Sequence, residues 1–198
     1  MPFIAIDRTT NQRVDISEIT NPREVFKNGN LVCQICGQQM MIRAGLMIRH
    51  HFAHYPKREC DNSNYRIGHP ETPQHDFAKK EVTRILREDL KKKVPGAIIE
   101  YEVPIPEARR IADVLVTFPM GWRIAHEIQL AKITIQDLEE RTDDYNAVGI
   151  DVFWWLGKDA DNVLNRDWCV QRFGFALRIN IVEQPAIGDA PISPSSLA

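Results

Sequence analysis

Two apolar runs, Ile111 to Phe118 and Trp122 to Leu130, are joined by Pro119-Met120-Gly121. Proline sets a negative φ and glycine supplies the positive φ of a three-residue hairpin loop, so the pattern predicts two antiparallel strands. With Phe118 facing Trp122, Asp113 stands opposite Glu127. The period of two along a strand then puts Gln129 on the same face. Two carboxylates and an amide converge there among Ile, Val and Leu. Like charges opposed across a ladder repel, so a divalent cation is the expected partner. The plainer reading is a solvated outer face of the hairpin.

The flanking elements follow from the same periodicities. Asp76 to Lys93 predicts a helix, with Ala78, Val82, Ile85, Leu86 and Leu90 as its apolar stripe and Lys and Arg on its other faces. Those cations suit either a solvated face or contact with phosphates. Pro95-Gly96 ends the helix, Ile98 to Val103 reads as a strand, and Pro104 to Ala108 as its turn. Thr134 is placed to cap a helix from Ile135 to about Val148, with Ile135, Leu138 and Tyr145 inward. Asp151 to Leu156 is a continuous apolar strand. Residues 161–171 suit a helix or coil, and Phe175 to Val182 reads as one more strand. Helix, three antiparallel strands, helix, strand is a meander followed by a β-α-β crossover, which predicts a mixed sheet with helices packed on it.

The N-terminal part is built of smaller pieces. Strands are expected at 3–6 and 13–16 and a short helix from Pro22 to about Lys27, capped by Asn21. A second hairpin pairs Met40 to Arg43 with Leu46 to Phe52 around Ala44-Gly45. Tyr55 to Pro73 is polar and reads as a linker, with a boundary near residue 68. From Gln184 onward Pro, Ser, Gly and Ala dominate, predicting a disordered tail over 184–198.

Composition narrows the class. Hydrophobic residues are 43% and charged residues 26% of 198, as in a globular protein. No run approaches the roughly 18 apolar residues of a membrane span. The first residues lack the basic start and long apolar core of a signal peptide, so the expected location is the cytoplasm, with no membrane partner. The net charge of −2 does not announce a nucleic-acid binder. Residues 1–69 nevertheless hold nine Lys/Arg against six Asp/Glu, and four of the six His.

The four cysteines suggest metal or packing roles rather than a disulfide framework. Cys33-x2-Cys36-Gly37 has zinc-knuckle spacing, with His51, His54 and Cys60 following 15, 18 and 24 residues after Cys36. The preferred set is Cys33, Cys36, His54 and Cys60, with His51 as the rival fourth ligand. Any such set fills four positions with protein atoms, which makes the expected Zn²⁺ structural. The plainer reading is buried free cysteines beside unrelated histidines. Cys169, next to Trp168, reads as a packed free thiol.

Taken together these motifs resemble the CoiA-like competence protein family. The matching stretches are Cys33-x2-Cys36, His51-Phe52-Ala53-His54, Glu71-Thr72-Pro73-Gln74-His75 with Lys79, Arg110-Ile-Ala-Asp113-Val, Glu127-Ile-Gln129, Arg141-x3-Tyr145 and Val152-Phe-Trp-Trp-Leu156, over about residues 30–157. The resemblance implies an α+β chain. Residues 1–68 would be a small zinc-binding module, and 69–183 a mixed-sheet, restriction-endonuclease-like domain of the PD-(D/E)xK type. It implies a Mg²⁺- or Mn²⁺-dependent nuclease acting on DNA, with Asp113 and Glu127 as metal ligands. Gln129 stands where that fold usually carries Lys; its amide can orient water but cannot act as a base. Secondary candidates for the same pocket are Glu71, His75, Glu81, Glu100 and Glu102. Arg141 would meet a phosphate or pair with Asp137. Partners would include recombination or DNA-processing proteins. A non-catalytic zinc-containing nucleic-acid-binding protein and a protein-interaction scaffold remain the alternatives.

Overall fold

The computed structural model describes residues 3–26, 29–45, 48–58, 60, 65 and 72–181. Glu71, the boundary near residue 68 and the tail over 184–198 lie outside the described residues.

The N-terminal part holds β1 (Ile4–Asp7), β2 (Gln12–Asp15), α1 (Pro22–Val25) and β3 (Leu31–Val32), followed by the hairpin of β4 (Met40–Gly45) and β5 (Ile48–His54). β1 lies between β2 and β3, antiparallel to both. Pro22 opens α1 at its first position, but the Asn21 side chain makes no cap hydrogen bond, and the helix ends at Val25, short of Lys27. β4 runs through the predicted turn, so that Gly45 pairs with Ile48. A small core of Phe3, Ala5, Ile16, Leu31, Cys33, Met40 and Phe52 joins these pieces.

The second part is the predicted mixed sheet. It contains α2 (Pro73–Lys93), β6 (Ile98–Ile105), β7 (Arg110–Thr117), β8 (Arg123–Gln129), α3 (Ile135–Asn146), β9 (Ile150–Leu156), α4 (Val163–Phe173) and β10 (Leu177–Arg178), in sheet order β10-β9-β8-β7-β6. β6, β7 and β8 run antiparallel, and β8, β9 and β10 parallel. The β7–β8 hairpin turns at Gly121, φ +84°, in the predicted register from Val114 facing His126 to Thr117 facing Arg123. β6 continues through Pro104, which faces Ile111; proline is tolerated there because β6 is an edge strand. The last strand is Leu177–Arg178 rather than Phe175 to Val182. Arg178 pairs with Leu156, where β9 ends and leaves nothing to pair beyond it, and Val182 lies outside the described residues.

Helices cover both faces. Ala78 and Val82 of α2 pack with Ile99, Tyr101, Val114, Val116 and Ile128, whereas Ile85 of the predicted stripe is 38% exposed. On the other face Leu138 and Tyr145 of α3 and Cys169 of α4 pack with Ala125, Val152, Trp154 and Leu156. α2 begins three residues before the predicted start: Pro73 takes the first position, and the Thr72 hydroxyl accepts the His75 N–H. That puts His75 in the first turn. α3 starts as predicted, with the Thr134 hydroxyl accepting from Asp137 N–H. Among the described residues no helix is long and apolar enough to cross a membrane.

Leu138 is fully enclosed between α3 and the sheet. Leu138→Ala should lower the unfolding free energy by about 2–5 kcal/mol, through lost transfer energy plus the cavity left behind. Urea unfolding checks this, with the midpoint expected to fall at an unchanged m value.

Candidate active site and cysteine–histidine cluster

The β7–β8 ladder ends at Val114 and His126, one step before Asp113 and Glu127. These two are therefore not the ladder pair that the hairpin pattern predicts. Side chains replace the missing strand hydrogen bonds. Asp113 Oδ2 accepts from the Ile128 N–H at 2.9 Å, and the Asp113 N–H donates to Glu127 Oε1 at 3.4 Å. The strands open, and both carboxylates enter the gap.

A cation from each neighbouring helix meets them. From α2, His75 Nε2 lies 3.2 Å from Asp113 Oδ2 and 2.8 Å from the Ile128 carbonyl. A carbonyl oxygen only accepts, so Nε2 carries the proton. From α3, Arg141 pairs with Glu127 Oε2, and its Nη1 reaches Gln129 Oε1 at 3.3 Å. The Tyr145 hydroxyl donates to Glu127 Oε1 at 2.9 Å, and the Arg141 guanidinium lies 5.0 Å from the centre of the Trp154 ring. Arg141 and Tyr145 are one turn apart on α3, so a single helix face delivers both. Glu127 and Gln129 share the α3 side of the sheet, and the Gln129 amide donates to the Ala131 carbonyl.

Electrostatics follow from burial and pairing. Burial would raise the Asp113 carboxyl, but the charges of His75, Lys79 and Arg141 outweigh it and hold it down at about 2. Burial lowers His75, but Asp113 and the Ile128 carbonyl bring it up to about 9. Burial pushes Glu127 upward, Arg141 opposes, and the Asp113 charge adds to the rise. Glu127 is 0% exposed, which rules out the solvated hairpin face.

The structure does not gather every candidate. Glu81 is an outer residue of α2 and pairs with Arg84. Glu100 lies 3.3 Å from Arg13 of β2, and Glu102 lies 2.7 Å from Lys79. Each is taken by a cation of its own. Arg141 pairs with Glu127 rather than with Asp137 one turn back. Sequence reasoning missed the Ile128 backbone, because a main-chain carbonyl carries no sequence signature.

In the N-terminal part Cys33, Cys36, His54 and Cys60 bring their ligand atoms within 4.8 Å of one another, a grouping that could hold a metal ion. His51 is not part of the group. Cys33 and Cys36 stand on the tight turn after β3, where Gly37 adopts φ +68°, and His54 closes β5. Cys33 Sγ is 3.7 Å from Cys60 Sγ, and Cys36 Sγ is 3.2 Å from His54 Nε2. Two sulfurs each about 2.3 Å from one tetrahedral ion are about 3.8 Å apart, so the donors fit Zn²⁺. Burial and the neighbouring thiols push the Cys60 thiol well up. Three thiols so close cannot all ionise without a cation among them. Cys169 is a packed thiol, raised by burial to about 11.

His75 has a folded pKa of about 9, above its ordinary 6.5, so its contribution to stability is complete below pH 6.5 and is lost as pH rises through 9. The parent should lose on the order of 2–3 kcal/mol of unfolding free energy between about pH 6 and pH 9.5. His75→Gln should start lower and stay flat over that window. Urea unfolding of both proteins across pH checks the slope.

Two family models match the chain. The competence protein CoiA N-terminal domain matches residues 13–63, and the competence protein CoiA nuclease-like domain matches residues 71–178. No curated protein and no solved structure gives a significant match. The second model takes in His75, Asp113, Glu127, Gln129 and Arg141, and the first takes in all four residues of the cysteine–histidine group. With more than half its length under the nuclease-like model alone, the chain belongs to the CoiA competence protein family.

Proposed function

We propose that the protein is a divalent-cation-dependent nuclease acting on DNA, with the gap between β7 and β8 as its centre and a structural Zn²⁺ in its N-terminal module. The observation that carries this reading is the convergence of hard oxygens at the gap. Asp113 Oδ2 and the Ile128 carbonyl both reach one point, now taken by the His75 N–H, and Glu127 stands beside them. Carboxylates and a main-chain carbonyl form an oxygen donor set suited to Mg²⁺ or Mn²⁺, with the protonated His75 giving way to the ion. Such an ion polarises a phosphoryl oxygen and lowers the pKa of bound water.

The surroundings suit a phosphodiester. α3 and α4 start just beyond the ends of the parallel strands β8 and β9, and α2 starts at His75, so three helix N-termini face the same end of the sheet. Their partial positive charges favour anions there. Gln129 is held on the α3 side by Arg141 and the Ala131 carbonyl, in position to orient water but not to take its proton. Arg141 supplies the positive charge that lysine gives in the usual PD-(D/E)xK pattern.

One observation favours a second reading, a non-catalytic DNA-binding protein. Both Glu127 oxygens are engaged, by Arg141 and by Tyr145, with the side chain fully enclosed. Cation binding at Glu127 has to displace Arg141. A cleavage assay on single- and double-stranded DNA with Mg²⁺, Mn²⁺ or EDTA separates the readings. Salt-dependent binding without cleavage supports the second.

Asp113→Asn and Glu127→Gln should each abolish cleavage in protein that still melts cooperatively, since each removes a hard anionic ligand. Gln129→Ala should lower the rate while leaving Mn²⁺ affinity nearly intact. Cleavage at the parental rate by both carboxylate variants would place the chemistry elsewhere.

Purified protein should carry about one Zn²⁺ per chain, and Cys33→Ser should lose it together with the order of the N-terminal module. Elemental analysis and thermal melts read both effects; metal-free parent protein would remove the zinc from this reading.

A further inference from the structure

We infer that Glu102 is a positioning residue that couples the cysteine–histidine module to the centre at His75 and Asp113. The inference takes that centre to be the functional one, as proposed above.

Glu102 has φ +53° inside β6. The other non-glycine residues with positive φ among the described residues, Asn11, Lys57, Arg109 and Lys158, lie outside the strands. A non-glycine residue keeps this conformation only where its surroundings over-determine it. The residues on either side of Glu102 pair normally, Tyr101 with Val114 and Val103 with Ala112, so Glu102 stands across from Asp113 on the adjoining strand.

The conformation aims two groups at the module. In a regular strand successive carbonyls point in opposite directions. At Glu102 two successive carbonyls serve the module. Arg13 Nη2 donates to the Tyr101 carbonyl at 2.5 Å and to the Glu102 carbonyl at 3.4 Å, and Gln34 Nε2 donates to the Glu102 carbonyl at 2.8 Å. Gln34 lies in the turn between Cys33 and Cys36. The Phe3 N–H, in the module's core, donates to Glu102 Oε2 at 3.4 Å.

The other carboxylate oxygen faces the centre. Oε1 accepts from Lys79 Nζ at 2.7 Å, and Lys79 is 3% exposed. A buried ammonium needs its counter-charge in place. Lys79 is one turn beyond His75 on α2, and its charge acts on both His75 and Asp113. A continuous path thus runs from the cysteine-bearing turn through Gln34, Glu102 and Lys79 to His75. Loosening the turn removes the groups that hold Glu102 in its unusual conformation. Lys79 then loses the Glu102 carboxylate from its surroundings, one turn from the centre.

Amide hydrogen exchange on the full chain tests this. Three proteins are compared: the zinc-loaded parent, the same protein after a zinc-selective chelator in excess Mg²⁺, and zinc-loaded Glu102→Gln. Chelation should speed exchange at least ten-fold at residues 76–80 and at Ile128, while Val152 and Trp154 of β9 stay protected. Glu102→Gln should reproduce the effect at those positions and leave Met40 and Phe52 of the module protected. Uniform acceleration, which a merely stabilising contact would give, overturns the inference. So does chelation that opens the module alone, or a Glu102→Gln protein with parental exchange at 76–80 and Ile128. If Glu102→Gln does not fold, Gln34→Ala, which removes only the contact to the Glu102 carbonyl, replaces it under the same criteria. The variant arms read the coupling even in protein that carries no zinc. Because exchange needs no cleavage, a chain that never cuts DNA defeats the nuclease reading while leaving this one to be decided.

Discussion

Two carboxylates in the middle of a sheet must be neutralised, and most of the nuclease-like domain is arranged around that requirement. Glu127 is fully enclosed, and Asp113 lies in the adjoining gap. Ionised groups removed from water cost several kcal/mol each unless paired and hydrogen-bonded. The pairing comes from both faces, with His75 from α2 and Arg141 from α3. Apolar packing fixes how these helices lie on the sheet: Ala78 and Val82 seat α2, while Leu138 and Tyr145 seat α3. The ion pairs then fix the register along each helix. A one-residue slide of α3 would turn both Arg141 and Tyr145 away from Glu127.

The opening of β7 from β8 follows from the same requirement. A regular ladder through Asp113 and Glu127 would hold two like charges at cross-strand distance. Instead the Asp113 carboxylate takes the Ile128 N–H, and the Glu127 carboxylate takes the Asp113 N–H. The Asp113 and Ile128 N–H groups thus each find a side-chain acceptor, as buried donors must. The Ile128 carbonyl, freed by the opening, accepts from His75. Strand separation and site formation are one event.

These facts explain which parts were legible in the sequence. Apolar periodicity found α2, α3 and β6 to β9, whose apolar positions pack against the cores on the two faces of the sheet. It left α4 open between helix and coil and overran β10. The hairpin register followed from Pro119-Met120-Gly121, since loop length dictates pairing. The C-x2-C spacing together with His54 and Cys60 found the cysteine–histidine group, because soft ligands are rare and their spacing is geometric. Three features were not legible. The ladder break at Asp113 depends on cations from α2 and α3, more than ten residues away in sequence. Glu100 and Glu102 looked like pocket residues because they neighbour Asp113 across the sheet; Arg13 and Lys79, from other elements, claim them instead. The start of α2 at Pro73 was missed because the apolar stripe begins later, at Ala78, while the cap at Thr72 sets the boundary. That shift matters, since it puts His75, which stood just outside the predicted helix, in the first helical turn.

Gln129 can be understood from the same charge balance. A lysine there would extend toward the space that the Arg141 guanidinium occupies, 3.3 Å from the present Gln129 oxygen. Two cations would then compete for Glu127, with the rest of that carboxylate already taken by Tyr145. An amide avoids the conflict: its oxygen accepts from Arg141, and its nitrogen donates to the Ala131 carbonyl. The positive charge therefore reaches the centre from α3 rather than from β8, and it is steadied by the Trp154 ring beneath it. Glutamine at 129 and arginine at 141 form one solution to the charge of this site. Replacing Arg141 alone would leave a buried Glu127 facing no cation, and Gln129→Lys alone would leave it facing two.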